Sequence, residues 1–404
     1  MLHVDLVYFN AGGGHRAAAE ALREVLEADG ARWQVRLVNL FELLDPQALF
    51  RRFTGMAPED YYNRRLARGW TFGMAQELKL LQAAIRLAHP QLVQRLQPHW
   101  RQSAPDLAVS LVPNFNLALA HSLRAERPGT PFVTVLTDLA DHPPHFWIER
   151  GAGQHLVCGT DRALQQAREA GVDQQRLHRS SGMVLRPGFY RPPAQPRTEA
   201  RRALGLDAHT PTGVVLFGGQ GSRAMLDIAE RLHDVPLILM CGHNQALARR
   251  LRAQPAQAPR VIVGYTTEVA NYLRLGDFFI GKPGPGSLSE ALHCGLPVIV
   301  TRNAWTLPQE RYNTDWVREQ RVGLVLDSFA GVRQAVALLR AQLPRFNAQV
   351  RRMDNRALFE LPHILAGIHR DAVRAQGADR AALTHVERPM PAANDDRAAG
   401  IQAS

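Results

Sequence analysis

The stretch FFIGKPGPGSLSEALHCGLPVIV, Phe278 to Val300, reads as a strand, a turn, a helix and a second strand. Phe278, Phe279 and Ile280 form a short apolar run. Gly281, Pro283, Gly284, Pro285 and Gly286 exclude regular structure through the turn. Ser287 stands where an N-cap belongs, and Glu290 three residues on would complete a capping box. Leu288, Ala291 and Leu292 give the helix an apolar face, Gly295 ends it, and Pro297 leads into the next strand. Bare backbone N–H groups at a glycine-flanked helix start attract anions. The turn is therefore a candidate diphosphate cradle in a parallel α/β domain. An ordinary capped strand–helix turn would show the same local pattern.

The device recurs. VDLVYFNAGGGHRAAAEALREVLEADG places a strand at Val4–Phe9, glycines at 12–14 and a helix from about His15 to Ala28. TGVVLFGGQGSRAMLDIAERL places a strand at Val214–Phe217, Gly218, Gly219 and Gly221 in a loop, and a helix from Ser222. These two copies match in layout and lie about one domain length apart, so two nucleotide-fold domains in tandem explain them. Neither loop is followed by the Gly-Lys-Ser/Thr of a P-loop, and neither is a clean G-x-G-x-x-G.

A chain of 404 residues suits two domains, and 46% hydrophobic content supports real cores. The net charge of +11 comes almost wholly from arginine, since Lys79 and Lys282 are the only lysines. That excess favours an anionic partner. No zinc finger, RNA-binding aromatic motif or helix-turn-helix is present, so nucleic acid is not the expected one. Cys158, Cys241 and Cys294 are widely spaced, without C-x-x-C, as expected of buried thiols in a reducing, cytoplasmic setting. The N-terminus reads as a strand rather than a signal peptide, and no stretch approaches a membrane span.

The alternation of strands and helices divides the chain into a first domain over 1–190 and a second over 205–345. Pro187, Pro192, Pro193 and Pro196 mark a linker between them. Helices follow over 346–375, and 376–404 reads as a disordered tail. One segment breaks the alternation: Arg51 to Arg101 is basic, with Tyr61, Tyr62, Trp70, Phe72 and Trp100 interspersed. Such an insertion suits peripheral attachment to an anionic membrane surface. A solvated helix pair covering the sheet is the alternative.

Several pieces together resemble the monogalactosyldiacylglycerol synthase-like glycosyltransferases. In the first half these are AGGGHRAAAEA at Ala11, VTVLTDLADHPPHFW at Val133 and SSGMVLRPGFY at Ser180. In the second half they are MCGHNQALARRL at Met240, VGYTTEVANYL at Val263, the stretch at Gly281 and PQERYN at Pro308. The likeness spans about Leu6 to Val325. It implies a GT-B fold, two facing Rossmann-like domains with parallel sheets, shared with the lipid-linked N-acetylglucosaminyltransferase of peptidoglycan synthesis. It further implies inverting, metal-independent transfer of a galactose or glucose from a UDP-sugar to diacylglycerol. UDP-sugar is then a co-substrate and no cofactor is expected. Two departures lie on the acceptor side: Asn10 precedes the glycine loop, and DHPPHFW shortens the spacing after Asp138.

Glycosyl transfer needs a base, a site for the departing diphosphate, and recognition of uridine and sugar. His15, at a helix start after the glycines, is the expected base, and a neutral imidazole suits that task. A helix-start histidine that merely shapes the loop is the bland alternative. Asp138, at a strand end, is the other candidate base, the partner that orients His15, or a simple N-cap. Gly13, Gly14 and His142 are assigned to the substrate cleft. Asp141, His142 and His145 resemble metal ligands, but the loop is stiffened by Pro143 and Pro144, and no D-x-D occurs. Gly284, Gly286 and Ser287 are expected to meet the diphosphate through backbone N–H groups. Gly219 permits close approach of its loop, or simply a tight turn. The resemblance assigns Glu290 to the ribose hydroxyls, Tyr265 to the uracil, and Gln309, Glu310 and Asn313 to the sugar. Competing functions keep the donor site and change the rest. One transfers N-acetylglucosamine to an isoprenoid-linked or lipopolysaccharide intermediate, and another is an inactive UDP-sugar-binding membrane protein.

Overall fold

A computed structural model describes residues 1–10, 13–28, 32–47, 52, 55 and 74–386. Two parallel six-stranded sheets organise the chain. The first contains β1 (Leu2–Tyr8), β2 (Trp33–Asn39), β3 (Leu107–Ser110), β4 (Phe132–Val135), β5 (His155–Cys158) and β6 (Leu177–Arg179), in the order β2-β1-β3-β4-β5-β6. The second contains β7 (Gly213–Leu216), β8 (Leu237–Gly242), β9 (Arg260–Gly264), β10 (Phe278–Gly281), β11 (Val298–Thr301) and β12 (Gly323–Leu326), in the order β12-β11-β10-β7-β8-β9. Read from β7, that second order is the dinucleotide-fold arrangement. The fold is α/β of the GT-B type, as expected.

The sequence explains why the central strands are so short and so apolar. All four residues of β3, β4, β7 and β10 are buried. Helices cover both faces of a parallel sheet, so its strands become continuous apolar runs rather than alternating ones. Val214, Phe279 and Val298 pack on one face of the second sheet, and Val215, Phe278 and Ile299 on the other. β6 was not foreseen. It is a three-residue edge strand, Leu-His-Arg, with no buried residue to announce it.

The proline-rich segment after Arg186 is a packed strap rather than a loose linker. Phe189 is buried in the second domain's core, and Arg201 is wholly buried. Arg201 and Arg197 meet opposite oxygens of Asp277, at 3.0 and 2.7 Å. Asp277 also accepts from the Thr212 backbone at 2.8 Å, so one carboxylate ties the strap to the start of β7.

The chain then returns. The helix Ala357–Val386 follows the second domain but packs on the first. Ala357, Leu361, Leu365 and Ile368 share a core with Val4, Leu6, Leu22 and Leu107. Its start is pinned where the chain crosses between domains. The Ser181 backbone donates to Glu360 at 2.7 Å, and Ser181 Oγ accepts from the Arg356 backbone at 2.7 Å. The helix continues through residue 386, beyond the point where a tail was expected. Residues 387–404 lie outside the described residues.

Within the Arg51–Arg101 insertion, 51, 53–54 and 56–73 lie outside the described residues. The rest forms two helices, Met74–Leu87 and His89–Ser103. The second belongs to the fold: Leu96 and Trp100 are wholly buried, and the Trp100 indole donates to Ser122 at 2.7 Å. The first leaves Leu80, Leu81 and Leu87 exposed.

Candidate active site

Open parallel sheets bind ligands at the carboxyl ends of their strands, where strand order reverses. In the first sheet that point lies between β1 and β3, beside the loop that carries His15. In the second it lies between β7 and β10, between the loops at Gly218–Gly221 and Lys282–Gly286.

On the first side, the helix Gly14–Ala28 is the element that follows β1. Gly13 turns into it with φ +78°, a conformation that L side chains rarely adopt. Gly13 and Gly14 are exposed, while Ala11 and Gly12 lie outside the described residues. His15 Nδ1 lies 3.0 Å from Thr137 Oγ1 at the end of β4. Burial lowers its imidazole to about 4, so the ring is neutral at pH 7. The Trp147 ring stands 5.8 Å from the His15 ring, and its indole nitrogen donates to Asp138 at 2.9 Å. Burial raises the Asp138 carboxyl to about 7, against the lowering effect of that hydrogen bond. His15, Trp147 and Asp138 are thus one cluster.

Asp141 has another task. Its oxygens accept from the backbones of Trp147 at 2.6 Å and His145 at 2.9 Å, which shapes the loop. His142 is half-buried beside it, with its imidazole pushed down by burial, opposed by the charge of Asp141. Arg311 and Arg302 of the second domain also act on His142.

On the second side, the helix Pro285–His293 begins three residues earlier than the capping pattern suggests. Proline is pre-organised for the first helical position, so Gly284 becomes the N-cap. Ser287 therefore lies inside the first turn, its Oγ 3.4 Å from the Gly284 carbonyl oxygen, and it is not the cap. No side chain caps this helix start. A Cβ added at Gly286 would meet nothing within 4 Å, so the approach is open. Lys282 Nζ pairs with Glu310 at 3.0 Å beside this opening. Both act electrostatically on Asp138 across the cleft. Arg16 and Tyr265 are similarly coupled across it.

The remaining expected residues are placed as follows. Asn313 is wholly buried, and its amide donates to the Pro283 carbonyl at 2.7 Å, so it props the glycine loop from beneath. Gln309 and Glu310 share a short 3₁₀ turn, Pro308–Glu310. Burial raises Glu290 to about 7, and Arg186 Nη2 lies 3.8 Å from it. Gly219 accepts from the His243 backbone at 2.8 Å, and a Cβ at Gly242 would lie 2.1 Å from the Gly219 oxygen. Tyr265 is 62% exposed and stacks on His243, with centroids 3.9 Å apart. A further cavity of about 670 Å³ between the domains begins at Leu139, next to Asp138, and includes Arg162, Tyr312, Trp316 and Glu319.

Searches for relatives agree with this architecture. The chain is 27% identical over 347 residues to a probable monogalactosyldiacylglycerol synthase of Nicotiana tabacum, covering 79% of this chain and 61% of that protein. Monogalactosyldiacylglycerol synthase 1 of Arabidopsis thaliana is 26% identical over the same length and the same shares. The chain is related to the monogalactosyldiacylglycerol synthases. It spans about 61% of the length of these relatives. No family model matches it. Among solved structures, that of Acinetobacter baumannii MurG superposes with a TM-score of 0.55 at 14% identity, covering 91% of this chain and all of that one, which supports the fold.

Sequence reasoning missed Trp147, Thr137, Lys282, Arg186 and His243. Only Lys282 carried a signal, being one of two lysines in an arginine-rich chain and lying inside the glycine loop. The others act through partners distant in sequence.

Proposed function

We propose that the chain is an inverting glycosyltransferase that moves a hexose from a UDP-sugar to a diacylglycerol-type lipid. One observation carries the reading: the His15–Trp147–Asp138 cluster faces Lys282, Glu310 and an uncapped helix start across one cleft. The acceptor hydroxyl attacks the anomeric carbon from the face opposite the diphosphate. Its proton passes to His15, whose neutral ring can accept it. The bond to the diphosphate breaks, and the leaving group takes its negative charge into the backbone N–H groups at Gly286 and Ser287, with the Lys282 ammonium nearby. Glu290 accepts from the ribose, Tyr265 covers the uracil, and Gln309 and Glu310 read the sugar hydroxyls. Fixed dipoles and Lys282 take the place of a metal ion. Among the described residues no helix is long and apolar enough to cross a membrane. The helix Met74–Leu87 instead offers its exposed leucines to a bilayer, on the cytoplasmic face.

The test is incubation with UDP-galactose, UDP-glucose and UDP-N-acetylglucosamine in turn, with mixed membrane lipids and with or without a chelator, followed by mass spectrometry. A hexosyl-diacylglycerol formed in the presence of chelator is the expected product. Transfer of N-acetylglucosamine to an isoprenoid-linked lipid or a lipopolysaccharide intermediate would replace this reading with the alternative acceptor. Failure to transfer from any donor would leave a nucleotide-sugar binder.

A further inference from the structure

The helix Met74–Leu87 rests on the first domain by a narrow stripe. Between residues 76 and 87 only Leu78, Gln82 and Ile85 are not exposed, and their spacing of four and three places them on one face. Leu78 packs against the cluster of Leu136, Phe146, Trp147 and Ile148. Ile85 is buried with Phe9 and Phe115. Gln82 lies between these two apolar anchors, where a polar side chain is costly unless it is bonded. Its amide nitrogen donates to Asn114 Oδ1 at 3.1 Å and lies 3.5 Å from the His145 carbonyl oxygen. One amide group thus reaches two loops that are far apart in the chain.

The two residues it meets share a rare backbone state. Among the described residues the non-glycine residues with positive φ are Ala104, Asn114, His145 and Arg321. Ala104 and Arg321 are helix C-caps, an ordinary place for a left-handed residue. Asn114, at φ +67°, and His145, at φ +66°, stand in loops instead, and both meet Gln82. A left-handed side-chain-bearing residue costs ~1–2 kcal/mol and persists where its surroundings hold it. The loops are also joined directly, the Asn114 backbone donating to the Phe146 carbonyl at 2.6 Å. Trp147 follows at once, with its indole on Asp138 at 2.9 Å and its ring 5.8 Å from that of His15. Asp141 accepts from the Trp147 backbone at 2.6 Å, and the Asn116 amide donates to the Trp147 carbonyl at 3.2 Å. Those bonds fix one side of the turn, and Gln82 approaches the other, at His145.

We infer that Gln82 is a positioning residue for the reaction: its amide holds the turn at His145 so that the Trp147 indole meets Asp138 and its ring stands beside His15. Gln82 touches no reacting atom and acts through Trp147. Its importance for turnover rests on the proposed glycosyl transfer; its hold on Trp147 does not.

The test uses the full chain and three variants. Gln82→Met keeps the length of the side chain and removes its donors. Gln82→Glu keeps the shape and turns carboxylate oxygens toward the oxygens of Asn114 and His145. Gln82→Lys restores rotatable N–H donors on a flexible stem. The first readout is the Trp147 indole N–H signal in nuclear magnetic resonance, assigned by its disappearance in Trp147→Phe. In Gln82→Met and Gln82→Glu that signal is expected to move upfield and to exchange with solvent about tenfold faster, with the melting temperature unchanged. Gln82→Lys is expected to restore it. The second readout is steady-state transfer from a UDP-sugar. Gln82→Met and Gln82→Glu are expected to lower kcat by about tenfold and to leave KM for the donor unchanged, and Gln82→Lys to recover most of the loss. An indole signal that is the same in every variant overturns the hold on Trp147. So does a signal disturbed as much by lysine as by methionine, because the contact would then be packing alone. A disturbed indole with unchanged kcat overturns the role in the reaction. A fall in kcat that comes with a raised KM and a lower melting temperature overturns it too, since Gln82 would then serve the fold. If the wild type transfers from no donor, the glycosyl transfer reading fails, and the indole signal alone decides whether Gln82 holds Trp147.

Discussion

His15 and Asp138 compete for one role, and their ionisation separates them. Burial holds His15 near about 4 and Asp138 near about 7, so each must be unprotonated to act as base over a different range. If His15 is the base, turnover at saturating donor stays level as pH falls from 8 to roughly 5 and drops only near the lowered imidazole value. If Asp138 is the base, the drop comes near neutrality. His15→Ala is expected to cut turnover by ~10²–10⁴ with UDP affinity nearly intact, whereas loss of both would mean that His15 shapes the loop. Glu290 gives a second check. Its carboxyl is raised by burial from 4.5 to about 7, so the folded state holds a proton that the unfolded chain releases. The associated stability is complete below about 4.5 and is lost as pH rises through about 7. Glu290→Gln, which keeps the shape and cannot ionise, is therefore expected to raise the melting temperature at pH 8 relative to wild type and to change it little at pH 4. An equal shift at both values would show that the carboxylate is well solvated. These residues were legible because each stands at a strand end or helix start with a local signature. Arg186 was not, because it meets Glu290 only through the fold. Asn313 was legible in position but not in orientation, since only packing shows that its amide turns inward to Pro283.

At the scale of elements, the pattern of short apolar runs and glycine turns marked β1, β7, β10 and β11; β6 escaped because a three-residue edge strand carries no such run. Ser287 shows the limit of boundary signals. Serine and proline each compete to start the helix, and the proline's fixed backbone angle wins. The basic, aromatic insertion suited a membrane-facing unit or a helix pair covering the sheet, and its second helix supplies Trp100 to the core. Charge and aromatic content look alike whether a helix faces lipid or protein, and burial alone separates the two cases. The exposed helix Met74–Leu87 retains the character expected of a lipid-facing element, with Lys79 and Arg86 beside Leu80, Leu81 and an 83% exposed Leu87. Replacing Leu80 and Leu87 with Asp is expected to weaken sedimentation with anionic vesicles by at least tenfold, at about 1 kcal/mol or more for each lost contact, while leaving the melting temperature unchanged. Vesicle binding equal to wild type would remove this helix from the membrane surface.

Over the whole molecule, the domain pair was legible because the repeated glycine turn marks each sheet separately, whereas the return of the last helix was not. Its apolar face predicts burial but names no partner, and the partner lies at the other end of the chain. Leu361 sits wholly buried among Val4, Leu6 and Leu22, so Leu361→Ala is expected to cost ~2–5 kcal/mol, read as a lower denaturation midpoint. The loss belongs to the first sheet, although the substitution lies beyond the second; retention of β1–β6 amide protection in hydrogen exchange would contradict that. The same return sets a timetable for synthesis. The first sheet leaves the ribosome before the second, but Ala357 to Ile368, which complete its core, emerge only after the second sheet. The second sheet's core is supplied within one uninterrupted stretch that ends with Val332 to Leu339 and Val350, before Ala357 emerges. Of the two sheets, the one made first is thus the one completed second, and until Ala357 to Ile368 emerge its uncovered strands are a surface for chaperones to occupy.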